Sequence, residues 1–335
     1  MKRIISLLLA LALTLSLTAC TAPAEKADDG ELQIVTTLFS YYDFARAIAQ
    51  DRADVTLLLS PGREAHSFEP TPLDAVTISE ADVFLYNGGE GEYWVESMLD
   101  AAGEHIAVAS RMMDYVDALN EEYVEGMQGA DGHDHDHEHG SHDDHDHDHE
   151  EDEHDSDEIE YDEHIWTSPK NAVVLCRAVC DAICRADAEN AAFYRANCEN
   201  YCAQLEDLDA RFAVLCESAP RRLLIFADRF PMLYFCREYG LDYRAAFHGC
   251  SGDTEPSLAT IKFLIDKVED ENIPVVYTID FGTKKVAAVV SECTGAAIET
   301  LYSMQTVSRA DFDAGETYLT LMERNFEALR KGLNA

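Results

Sequence analysis

The chain has 335 residues, 47% of them hydrophobic, which suffices for two medium domains each with its own core. Its formal net charge of −40 at pH 7 excludes nucleic acid as a partner, because phosphates are held by Lys and Arg, and suits cations instead. The charge is concentrated, since Glu121 to Glu163 holds 21 acidic residues and no Lys or Arg.

At the N-terminus, Lys2 and Arg3 precede the apolar run Ile4 to Leu17 and then Thr18-Ala19-Cys20. A short basic region, an apolar stretch and small residues at a cut site form an export signal, too short for a membrane span. Leu17-Thr18-Ala19-Cys20 resembles a bacterial lipobox, which implies that residues 1–19 are a lipoprotein signal peptide. Cys20 would then be lipid-modified and tie the chain to the outer face of the cell membrane. Residues 20–30 read as a tether.

Residues 32–110 alternate strand and helix patterns: strands at Leu32–Leu38, Asp54–Leu59, Val83–Tyr86 and Ile106–Ala109, and helices at Tyr41–Gln50, after Thr71-Pro72, and at Glu92–Ala102. Short connections between such elements imply a parallel sheet covered by helices, with ligands gathering beyond the carboxyl ends of the strands. His66 lies in the loop after the second strand. His105 precedes a strand without a partner motif and reads as structural or surface.

From His133 to His154 the chain alternates histidine with Asp and Glu: His133, His135, His137, His139, His142, His145, His147, His149 and His154. A stretch with so little to bury cannot repay its ordering entropy and is expected to stay mobile, offering weak auxiliary metal sites within a loop at about 121–160. His164 stands where ordinary globular sequence resumes and reads as a fixed ligand. A helix from Pro169 to Arg185 follows, then a long helical pattern from Ala188 to Ser218 that could act as a strut. Cys176, Cys180 and Cys184 share one helix face, and Cys198 and Cys202 repeat the spacing. Besides Cys20 there are nine cysteines, an odd number without a CxxC pair, so they read as small core residues rather than a disulfide framework.

A second alternating set follows, with strands at Leu223–Ala227, Asp242–Phe247, Val275–Ile279 and Ala297–Leu301. Its helices are Phe230–Glu238, Leu258–Glu269, Thr283–Cys293 and Glu316–Leu333. Asp280 comes directly after a strand, where a ligand-facing carboxylate belongs, although it could also cap the next helix. His66 and His164 on separate loops, with Asp280 from the second half, suit a closed divalent-metal site. Imidazole favours zinc, whereas carboxylates alone favour harder ions.

These features resemble the metal-specific solute-binding proteins of bacterial ABC importers, the zinc and manganese group. The resemblance spans nearly the whole chain after the tether. It rests on Pro61…His66-Ser67-Phe68-Glu69-Pro70-Thr71-Pro72 and on Asp162-Glu163-His164-Ile165-Trp166 followed by Ser168-Pro169-Lys170-Asn171-Ala172. It rests also on the long helix, Phe235…Tyr239-Gly240-Leu241 and the Glu255 region. It implies an α/β fold of two lobes, each a small parallel sheet flanked by helices, joined by one backbone helix. The lobes would be 31–185 and 219–335, with 187–218 the linking helix. It further implies a monomeric, lipid-anchored receptor that captures Zn²⁺, with Mn²⁺ the alternative, and passes it to the ABC permease membrane subunit.

The chain departs from the family at one place. Zinc-type members carry a third histidine in a His-Asp pair after the first strand of the second lobe, where this chain reads Phe226-Ala227-Asp228-Arg229-Phe230. His248 or Asp228 is the substitute candidate, and His248 could equally be an ordinary loop histidine. Competing functions are a surface metal buffer working through the histidine run, and a secreted zinc hydrolase. Against the hydrolase, the chain has neither His-Glu-x-x-His nor Gly-x-Ser-x-Gly, and it is read as a non-enzyme. A secondary role in cell adhesion is compatible with the same location.

Overall fold

Two runs of short apolar strands build two sheets of the same design. The computed structural model describes residues 31–63, 68–103, 106–128, 160–249 and 255–334. Cys20, His66, His105, Cys250 and the nine histidines of the acidic run lie outside the described residues. In the first sheet, β1 (Leu32–Thr36), β2 (Ala53–Leu57), β3 (Val83–Tyr86) and β4 (Val108–Arg111) lie in the order β2-β1-β3-β4. β3 runs parallel to both neighbours, with Val83 beside Ile34 and Val108. The second sheet, β5 (Leu223–Phe230), β6 (Asp242–His248), β7 (Val275–Ile279) and β8 (Ala297–Leu301), repeats the pattern as β6-β5-β7-β8. Central strands are mostly buried, as covered parallel sheets require: Val83, Phe84 and Leu85 are fully inaccessible, and all of Val275–Ile279 is buried.

Around the first sheet stand α1 (Phe39–Ala49), α2 (Pro72–Ser79), α3 (Trp94–Ala102) and α4 (Pro169–Ala186). Around the second stand α6 (Leu233–Tyr239), α7 (Leu258–Asp270) and α8 (Lys285–Thr294); the short α9 (Arg309–Asp313) lies against α1 instead, with the Phe312 and Tyr42 ring centroids 5.5 Å apart, and α10 (Tyr318–Leu333) closes the second set. The start signals act as the sequence suggests. Thr71 and Asp74 form a reciprocal capping box with Pro72 in the first turn, and Ser168 caps α4 ahead of Pro169.

Between the sets runs α5 (Ala191–Ser218), 28 residues and so about 42 Å long at the usual rise. It starts three residues later than the periodicity suggests, because Asp187 folds a turn that accepts from the Asn190 N–H and the Tyr194 hydroxyl. The segment 302–308 sews the halves together. Trp166 Nε1 donates to the Ser303 carbonyl at 2.7 Å, Ser40 Oγ to Met304 O at 2.7 Å, and the Gly62 N–H to Val307 O at 2.8 Å. The described residues from Gln33 onward form one compact unit.

One element differs from its expected bounds in a way that matters. β5 runs on to Phe230 instead of stopping at Ala227, with a register irregularity between Phe226 and Arg229, and α6 starts only at Leu233. Phe230 is held there by stacking on Tyr243, centroids 3.6 Å apart, so side-chain packing overrides the helical pattern.

Candidate metal centre

Asp162-Glu163-His164 leads into α4, and every side chain in it is buried. The Asp162 carboxylate turns back on His164, with Oδ1 accepting the backbone N–H at 2.8 Å and lying 3.2 Å from Nδ1. Such a carboxylate holds the proton on Nδ1 and leaves Nε2 as the metal donor, the usual arrangement behind a ligating histidine. Burial disfavours the imidazolium, yet Asp162, Glu163 and Glu121 together hold the His164 pKa above its ordinary value. Protons therefore compete with a metal ion for this ring. Gly249 presses on the same imidazole: a Cβ there would lie 3.0 Å from His164 Cε1 and 2.9 Å from the Phe230 carbonyl.

Asp280 meets His164 in one pocket of about 340 Å³, together with Arg229, Pro231, Gly249, Ser303 and Gln305. Its Oδ1 accepts the Ser303 N–H at 2.7 Å. Burial pushes its pKa up to about 7, with hydrogen bonds from Ser303 opposing and the charge of Asp228 adding to the rise. The helix-cap alternative does not hold, because Lys284 occupies the cap position of α8.

The two substitute candidates each engage other groups. Asp228 accepts the N–H groups of Arg229 at 2.9 Å and Ile279 at 3.3 Å. Gly282 lies over it so closely that a Cβ would fall 1.8 Å from Oδ2. His248 Nδ1 lies 2.9 Å from Glu121 Oε1, and its ring rests against Tyr123, centroids 5.1 Å apart. Ala227, where the sequence resemblance implies a histidine, joins the apolar cluster of Ile225, Ala246 and Phe247 beneath the second sheet. It is the neighbouring Arg229 that lines the pocket.

A second recess of about 400 Å³ opens on the first sheet, lined by Thr37, Asn87, Gly91, Glu92 and Glu163, with Gln305 common to both. The loop Asn87-Gly88-Gly89-Glu90-Gly91 is shaped around Glu163. Gly91 N–H donates to Glu163 Oε1 at 2.8 Å, and a Cβ on Gly89, at φ +94°, would sit 2.3 Å from that oxygen. Burial lifts the pKa of Glu92 to about 7, and Glu163 is raised as well, also first by burial. Leu59 and Phe68, near the two ends of the segment that carries His66, border this recess. Among the described residues, no three His, Cys, Asp or Glu donors of the cleft converge within 4.8 Å.

His164 and Asp280, both singled out in the sequence, line one pocket, whereas Gly249, Arg229, Glu92 and the contact of the Asp162 carboxylate with His164 were not singled out there. The signals were faint: Asp162 and Glu163 stood in a quoted motif, while a glycine after a strand reads as a turn until a ring is seen against it.

The family described as zinc-uptake complex component A, periplasmic, matches residues 34–332. The high-affinity zinc uptake system protein ZnuA of Bacillus subtilis is 30% identical over 306 residues, covering 90% of this chain and 88% of that protein. The zinc-binding lipoprotein AdcA of Streptococcus pneumoniae is 30% identical over 334 residues, 99% of this chain but only 61% of its own length. The crystal structure of the Zn(II)-bound ZnuA-like domain of that species' AdcA superposes with a TM-score of 0.70 at 25% identity, covering 91% of this chain and 100% of the domain.

Proposed function

Because the chain belongs to the periplasmic zinc-uptake component A family, we propose that it is an extracytoplasmic receptor that binds Zn²⁺ and delivers it to an ABC permease. The observation that carries this reading is the buried His164, backed by Asp162 at Nδ1 and sharing a pocket with Asp280. That pairing supplies one borderline nitrogen donor and one carboxylate at the carboxyl end of a strand, a set suited to zinc. His66 is the proposed third ligand. Asp228 and His248 serve in this reading as supports, because their carboxylate and ring are engaged with Ile279 and Glu121. No covalent chemistry is needed for capture and hand-over. Lipid attachment at Cys20 and a monomeric state belong to the same proposal.

Calorimetry with a competing chelator tests the ligand set. His66→Ala and His164→Ala should each weaken zinc binding by well over tenfold, at least about 1.4 kcal/mol; an unchanged affinity in either variant overturns the assignment. Deleting residues 132–154 should remove several weak sites and leave the tight one. If the tight site vanished with the deletion, the histidine run itself would supply ligands, and the metal-buffer reading would replace the receptor.

A further inference from the structure

The nine cysteines after Cys20 are far more than the cleft uses. Five of them, Cys176, Cys180 and Cys184 on α4 and Cys198 and Cys202 on α5, line the seam of that helix hairpin, each 7% exposed or less. All five are free thiols. Four-residue spacing on both helices puts the two rows face to face. The sulfurs of Cys176, Cys198 and Cys202 all lie within 4.8 Å of one another, and Cys198 and Cys202 are 3.8 Å apart. Zinc–thiolate bonds of about 2.3 Å set ligand sulfurs about 3.8 Å apart in a tetrahedral site and about 4.0 Å apart in a trigonal one. One edge of the triangle therefore already has the metal-bound length, and the others need only small rotamer shifts.

We propose that Cys176, Cys198 and Cys202 form a second, structural metal site for a thiophilic d¹⁰ dication of the zinc class, separate from the cleft and independent of its function. Three soft donors select such an ion over magnesium, calcium or manganese. Each thiol releases its proton to solvent on coordination, so a dication with three thiolates leaves one net negative charge in the seam. A monovalent ion would leave two, which a buried site disfavours. In an exported chain the arrangement also has a plain use, because a bound ion shields buried thiols from oxidation and clamps α4 to the long helix.

The test is to reduce and unfold the full chain, refold it with and without Cd²⁺ as a spectroscopic stand-in, and record the sulfur-to-cadmium charge-transfer absorption. One equivalent of band is expected, with a higher thermal midpoint and with Cys176, Cys198 and Cys202 protected from alkylation in mild denaturant. The band should vanish in Cys198→Ala and in Cys202→Ala. It should persist in Cys250→Ser and in His164→Ala, which separates it from the cleft. Alkylation mapping of the wild-type chain answers the question even if the alanine variants fail to fold. No band, a band that survives both alanine substitutions, equal alkylation with and without Cd²⁺, or disulfides among the five cysteines would overturn the site.

Discussion

The two sheets share one strand order, β2-β1-β3-β4 and β6-β5-β7-β8, yet they deliver functional groups differently. In the first half the strands stop short and loops bring the chemistry. A glycine-rich loop wraps Glu163, and the segment before α4 carries His164. In the second half a strand itself continues: β5 reaches Phe230 through an irregularity that sends Ala227 into the core and Arg229 into the cleft. A bulge of this kind re-aims side chains without changing topology. Two copies of one architecture can thus differ at the very residue on which a ligand set depends.

The largest expected effect follows from that difference. If Ala227 faces the core, restoring the family's residue by Ala227→His should not improve zinc binding. It should force an imidazole into the cluster around Phe247 and destabilise the fold by about 2–4 kcal/mol through overpacking and a buried polar ring. Urea unfolding and calorimetry on the same preparation check both halves of the expectation. A variant of normal stability with tighter zinc binding would show that position 227 can reach the cleft.

A smaller effect is expected where the second half's strand end meets the His164 ring. Gly249→Ala adds a Cβ 3.0 Å from the His164 ring and 2.9 Å from a carbonyl that cannot yield easily. Displacing the ring from its Asp162 hydrogen bond should weaken zinc binding about tenfold, near 1.4 kcal/mol, with little change in unfolding midpoint. Equal affinity in the variant would mean that the imidazole is not fixed by this contact.

The same contrast explains what was legible in the sequence. Strands at Val83–Tyr86 and Val275–Ile279 have the bounds that their apolar runs suggest, because buried parallel strands advertise themselves by composition alone. His164 and Asp280 were readable as site candidates because each abuts a recognisable boundary. The extension of β5 was not readable. Phe230 enters the strand through its stack on Tyr243, a contact between residues far enough apart that no local pattern carries it. The glycine cradle of Glu163 was hidden for a similar reason, since Asn87-Gly88-Gly89 reads as a turn whether or not a carboxylate lies inside it. The thiol seam was visible as spacing, but only the hairpin brings the two rows together.

The smallest effect concerns how each half holds a half-buried carboxylate, Glu92 in the first and Asp280 in the second, both pushed up to about 7 chiefly by desolvation. Glu92 can be tested apart from the proposed ligands. Its ordinary value is 4.5, so between that pH and 7 the native chain binds a proton that the unfolded chain does not. The stability this contributes is fully present below about 4.5 and is lost as pH rises through 7. Above 7 the fold carries an anion in a recess beside Glu163, with Oε2 held by the Gly88 N–H at 2.8 Å. Glu92→Gln keeps the shape and removes that charge. It should therefore raise stability by about 1 kcal/mol at pH 8, a figure discounted from the full shift because the side chain keeps partial solvent contact. Near pH 4.5 the variant and the parent should unfold at the same midpoint. Urea titrations at the two pH values measure the difference, and a stabilisation equal at both would mean that Glu92 does not take up a proton on folding.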